Sequence, residues 1–200
     1  MPAGEDPIVA WGVATRPHPG QTESGDAAVV MPFPGGALIA ALDGLGHGPE
    51  AARAARIASQ VLSASPGESL SVLFHRSHAL LKQTRGAVMS LASIRSADNS
   101  LRWVGVGNVD GRLFSGTDGS SASILLLGGI VGYVLPPLTP VTLPISKGDT
   151  LVLSTDGVGA LDRFPDLSGP PTELAKRILD ENMSGNDDAL VLVARYMGSP

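Results

Sequence analysis

Apolar positions along this chain fall into short runs separated by glycine- and proline-rich breaks. Ile8 to Thr15, Ala27 to Met31 and Ala37 to Leu42 predict strands, with Arg16-Pro17-His18-Pro19-Gly20 and Gly35-Gly36 as the breaks. The spacing then becomes helical. Pro49 suits the first position of a helix reaching about Ser63, because its missing N–H would be unpaired there anyway. Ala51, Ala55, Ala58 and Leu62 give that helix a small-residue face. A second helix is expected from about Glu68 to Arg85, striped by Leu70, Leu73, Phe74, Leu80 and Leu81 and stopped by Gly86. The short connector at Pro66-Gly67 predicts antiparallel packing of the two.

Strands dominate the remainder: Val88 to Arg95, Leu101 to Gly107, Val109 to Phe114, Ile124 to Leu127 and Thr150 to Ser154. Asp110-Gly111 reads as a tight turn and Ser115 to Ser123 as a hairpin loop. The prolines between Pro136 and Pro144 point to an edge or a loop. A last helix spans about Thr172 to Glu181, before a closing strand from Ala189 to Tyr196. Strands grouped around two long helices do not make a regular βαβ alternation. The expected fold is therefore α+β, a sandwich of two mainly antiparallel sheets flanked by helices, with residues 1–200 as one domain and no separate sensor domain.

Composition removes several function classes. The 200 residues include no cysteine, which excludes disulfides, thiolate metal sites and cysteine nucleophiles. A formal charge of -5 disfavours a nucleic-acid partner. The N-terminus shows no signal-peptide pattern. The longest apolar stretch, Ile124 to Leu135, is interrupted by three glycines and is too short to cross a membrane, so a cytoplasmic protein is expected.

Candidate chemistry lies where strands end in acids. Ala41-Leu42-Asp43-Gly44-Leu45-Gly46-His47-Gly48-Pro49 runs from a strand through a turn into a helix. Leu151 to Gly157 delivers Asp156 in the same way, and Asn186-Asp187-Asp188 precedes the last strand. Asp26 follows Ser24-Gly25. Each alone reads as a turn or cap, but together these carboxylates suggest one oxygen-only pocket for Mg²⁺ or Mn²⁺. Of the adjacent acids 187 and 188 only one can face that pocket, since neighbouring strand residues point opposite ways.

Gly25-Asp26, Asp43-Gly44-Leu45-Gly46-His47-Gly48, Ser154-Thr155-Asp156-Gly157-Val158 and Asn186-Asp187-Asp188-Ala189 occur in the order found in PPM-type metal-dependent serine/threonine phosphatases. The chain most resembles the bacterial branch that includes SpoIIE and RsbU. The segments Val104 to Val109 and Gly128 to Tyr133 resemble the stand-alone stressosome phosphatases of the RsbX kind. This resemblance implies an αββα sandwich and two divalent cations. Asp43 would bridge them, the Gly44 carbonyl and Asp26 would serve one, and Asp156 and Asp187 the other. Asp43, Asp156 and Asp187 would act catalytically through a metal-activated water, with no phosphoenzyme. Asp188 would support the site or be structural. It implies phosphorylated STAS-domain proteins of the stressosome, of the RsbR and RsbS types, as substrates of a monomer. Two alternatives remain open: an RsbU- or SpoIIE-like phosphatase of an anti-anti-sigma factor, and a non-catalytic STAS-binding module. His47 either orients water or fills its turn. Arg16 is either a surface residue or a phosphate-capturing one. His18, His75 and His78 have no supporting constellation.

Overall fold

The computed structural model describes residues 7–159 and 166–198. Eleven strands and three helices are set in the order β1 (Val9–Arg16), β2 (Asp26–Phe33), β3 (Gly36–Gly44), α1 (Pro49–Ala64), α2 (Leu70–Leu81), β4 (Ala87–Arg95), β5 (Ser100–Val106), β6 (Asp110–Phe114), β7 (Ser121–Ser123), β8 (Leu126–Leu127), β9 (Val141–Pro144), β10 (Thr150–Ser154), α3 (Pro171–Asn182) and β11 (Ala189–Tyr196), counted among the described residues. One sheet has the order β1-β11-β10-β6-β7. The other has β2-β3-β4-β5-β8, with β9 also paired to β5. All pairings are antiparallel except the short β5–β8 contact.

The period-two alternation of strands divides the core into three layers. Ile39 and Ala41 of β3 face Leu190 and Leu192 of β11 between the sheets, with Trp103 and Ile94 beside them. Leu38, Ala40 and Leu42 point the other way, onto Ala54, Ala58 and Leu62 of α1 and Leu73 and Phe74 of α2. Val191 and Val193 of β11 meet Leu174, Ile178 and Leu179 of α3. The result is an αββα sandwich. Because β3 and β11 are covered on both faces, their sequences are continuous apolar runs rather than alternating ones.

Several boundaries differ from the sequence reading for local reasons. The second helix is shorter at both ends. Ser69 accepts a hydrogen bond from Val72 N and starts it. Thr84 Oγ1 donates to Leu81 O (2.7 Å), and Gly86 takes φ +81 beyond its end. Asp110-Gly111 is not a turn but the beginning of β6. The chain reverses at Gly107, φ +98, as it crosses from one sheet to the other. The strand expected at Ile124 to Leu127 is shortened to β8, and β7 arises within the segment expected as a hairpin loop; the two pair in different sheets, so the chain changes sheets between them. Part of the proline-rich segment does form an edge strand, β9, against β5.

Gly12 marks the closest approach of helix to sheet. A Cβ there would lie 2.3 Å from Thr172 Cα and 2.6 Å from the Pro171 carbonyl carbon, both backbone atoms at the start of α3. Gly12→Ala should therefore push α3 off β1 and destabilise the fold by about 1–3 kcal/mol. Urea denaturation checks this, and an unchanged midpoint would contradict the packing described.

Candidate metal centre

The site forms at one end of the sandwich, where strands from both sheets terminate. Asp26 begins β2 and Asp43 lies directly opposite it near the end of β3. Asp156 follows β10, and Asp187 and Asp188 lead into β11. Asp43, Asp156 and Asp187 line one cavity together with Gly46, His47 and Asn108. Asp26 is buried behind it.

A small set of hydrogen bonds fixes these positions. Thr155 Oγ1 donates to Asp26 Oδ2 (2.7 Å) and accepts from Leu190 N (2.9 Å), tying the two sheets together directly beneath the acids. Asn108 Nδ2 donates to Asp156 Oδ2 (2.6 Å). Asp188 is buried with both oxygens occupied: Oδ1 accepts from His18 N (2.8 Å) and Oδ2 from Gly25 N (2.9 Å). Asp188 is thus a structural clamp on the loop that carries Asp26, leaving Asp187 on the cavity side. Neither Thr155 nor Asn108 stood out in the sequence as a site residue. Thr155 lies inside an acidic segment and Asn108 in the glycine-rich Val104 to Val109 stretch, but their partners are distant in the chain.

Glycines make this crowding possible. A Cβ on Gly44 would lie 2.1 Å from Ala51 O, and one on Gly157 would lie 2.0 Å from Asp188 O. Gly44 is required by this close approach to α1 rather than by an unusual φ. Its N–H donates to Gly25 O (3.0 Å), which aligns the two acidic loops.

The carboxylates disturb one another. Burial pushes Asp43 from the ordinary 3.8 to about 8, reinforced by Asp26, Asp156, Asp187 and Asp188. Burial also pushes Asp26 up to about 7, partly opposed by the Thr155 hydrogen bond and helped by Asp188, Asp156 and Asp187. Asp156 is raised by burial and by Asp187, against the pull of Asn108. Among the described residues no three His, Asp or Glu side chains are drawn together closely enough to grip an ion as they stand. The donor set nevertheless fits hard divalent cations: every side-chain donor is an oxygen, and the mutual repulsion is of the kind such an ion offsets.

His47 lines the cavity and stacks on His18, ring centroids 4.4 Å apart and planes 17° from parallel. Arg16 is held elsewhere. Its guanidinium pairs with Asp180 Oδ1 of α3 (2.9 Å) and contacts Met183 Sδ, so it does not line the cavity. His78 lies on α2 and accepts from Gly132 N (3.0 Å).

The family model for stage II sporulation protein E (SpoIIE) matches residues 34–197. The chain belongs to the SpoIIE family. Its domain is of the PPM phosphatase type, and the protein is a phosphoprotein phosphatase of a metal-dependent family. A chain from a structure described as "The bacterial stressosome: a modular system that has been adapted to control secondary messenger signaling" is 31% identical, with TM-score 0.86 over 94% of this chain and 99% of that one. RsbX in complex with magnesium is 22% identical, with TM-score 0.85 over 96% and 98%. The catalytic domain of the serine/threonine phosphatase PstP with two manganese ions is 19% identical, with TM-score 0.71 over 95% and 99%. No curated protein matches the chain. Among the described residues, no helix is long and apolar enough to cross a membrane.

The raised acids set a pH dependence. In the folded protein Asp26 keeps its proton up to about pH 7 and Asp43 up to about pH 8, whereas the unfolded chain releases both near pH 4. The metal-free fold should therefore lose stability as pH rises between these values. Asp43→Asn, which removes the charge, should stabilise the metal-free protein at pH 8 by at least about 1 kcal/mol, since a tenfold change in proton affinity is worth about 1.4 kcal/mol. Denaturation midpoints at pH 5 and pH 8 check both statements; equal wild-type midpoints would contradict them.

Proposed function

We propose that this protein hydrolyses phosphoserine and phosphothreonine on STAS-domain proteins of the stressosome, and that it does so in the cytoplasm as a Mn²⁺- or Mg²⁺-dependent enzyme. The observation that carries the reading is the arrival of Asp26, Asp43, Asp156 and Asp187 at one end of the sandwich, from both sheets, with two of them pushed far above the ordinary carboxylate range. The 31% identical neighbour from a stressosome structure supports the choice of substrate.

Asp26, Asp43, Asp156, Asp187 and the Gly44 carbonyl would together hold two divalent cations. When bound, such cations lower the pKa of a water and offset charge on phosphoryl oxygens. The chain's own residues do the rest. Asn108 fixes the direction of Asp156, Thr155 that of Asp26, and Asp188 holds the His18 and Gly25 backbone so that Asp26 and Asp43 stay opposed. His47, at the cavity wall and backed by His18, is available to orient a water or the leaving hydroxyl. With no cysteine and no alcohol nucleophile required, direct hydrolysis is the chemistry that fits.

The test is a dephosphorylation assay with Mn²⁺ on a phosphorylated STAS scaffold and, in parallel, on a free single-domain STAS protein. Turnover should favour the scaffold and should drop roughly hundredfold or more in Asp43→Ala. Preference for the free protein would move the substrate to an anti-anti-sigma factor. Full activity in excess chelator would overturn the metal mechanism.

A further inference from the structure

Arg85 neighbours Gly46, one of the residues that line the acidic cavity. It lies in the connector between α2 and β4, and its guanidinium stands against Gly46, where a Cβ would come within 2.8 Å of Nη1. Gly46 is a wall of the cavity that Asp43, Asp156 and Asp187 line. Among the described residues Arg85 makes no hydrogen bond or ion pair, and its side chain is exposed. Arg16 is committed to Asp180, Arg76 to Glu68, and Arg195 to the Gly169 and Leu167 carbonyls; Arg53 and Arg102, like Arg85, make no hydrogen bond or ion pair among the described residues, but neither lies against a residue of this cavity. Among the described residues, no Lys or Arg lines the cavity wall.

The backbone beneath Arg85 is held in place. Thr84 Oγ1 accepts from Gly86 N (3.0 Å), Gly86 O accepts from Leu45 N (3.1 Å), and Tyr133 Oη donates to Thr84 O (3.1 Å). The residues before and after Arg85 are thus tied to the Asp43 loop and to the Ile130–Val134 turn, while its guanidinium is left unclaimed.

We propose that Arg85 receives the phosphoryl group of the substrate. This rests on the phosphatase reading and adds the residue that recognises the phosphate. A phosphoserine brings a charge of about -1.5 to -2 toward a carboxylate-lined cavity. A planar guanidinium at the entrance matches two phosphoryl oxygens at once and counters the repulsion on the way in. The missing side chain at Gly46 lets the guanidinium lie directly against this part of the cavity wall.

The experiment compares wild type, Arg85→Lys and Arg85→Ala in Mn²⁺, using a phosphoserine peptide and inorganic phosphate as a competing product. Arg85→Ala should raise KM and the phosphate inhibition constant about tenfold, with kcat changed less than about twofold and Mn²⁺ affinity unchanged. Arg85→Lys should fall between, because it keeps charge but not the fork. Titration of the Mg²⁺-loaded wild type with inorganic phosphate should also move one arginine side-chain NMR signal that Arg85→Ala lacks. Unchanged KM and inhibition constant, or a lost kcat at constant KM, would overturn the assignment. Should the wild type cleave no phosphopeptide, the functional reading fails by itself. The phosphate titration then decides Arg85: a shifted signal sustains it, an unmoved one overturns it.

Discussion

Repulsion among carboxylates is the constraint around which this end of the molecule is organised. Left to itself, a set of acids brought from two sheets would spread into solvent or take up protons. Here the surrounding fold prevents the first and the raised Asp43 and Asp26 record the second. What holds them is packing further down the strands. β3 and β11 are sealed on both faces, so their ends have little freedom to part. Thr155 stitches one sheet to the other at the level where the acids begin. Packing of the core thus opposes the repulsion that would part these like charges.

The two adjacent acids before β11 show how one fold separates chemistry from support. Asp188 turns inward and accepts two backbone N–H groups, so its charge is absorbed by the loops it clamps. Asp187 turns to the cavity. The period of a strand enforces this division, because consecutive side chains cannot share a face. The glycines at 44 and 157 belong to the same design: each lets another backbone come closer than any side chain would allow.

The features legible in the sequence were those governed by local pattern. The closing strand has the limits its sequence predicts, an apolar run that begins directly after Asp187 and Asp188. α1 and α3 match their expected spans to within two residues at each end, the first because Pro49 marks its start. The acidic segments could be found because each combines a strand end with a flexible turn. Features that depend on distant partners were not legible. Asn108 acquires meaning from Asp156, Thr155 from Asp26, and Arg85 from Gly46. Asp110-Gly111 looked like a turn because that pair often is one, but β6 needed it as a strand to pair with β10. Arg16 was the nearest upstream cation in sequence, yet Asp180 on α3 claims it in space.

The most direct test of the central claim is calorimetric titration of the metal-free protein with Mn²⁺ near pH 7 in two buffers of different ionisation enthalpy. If crowded, partly protonated acids form the cation site, uptake of metal must expel protons, and the apparent heat will differ between buffers in proportion to the number released. Loss of that buffer dependence in Asp43→Asn would assign it to the cluster. Binding with no proton release, or no binding at all, would contradict the account.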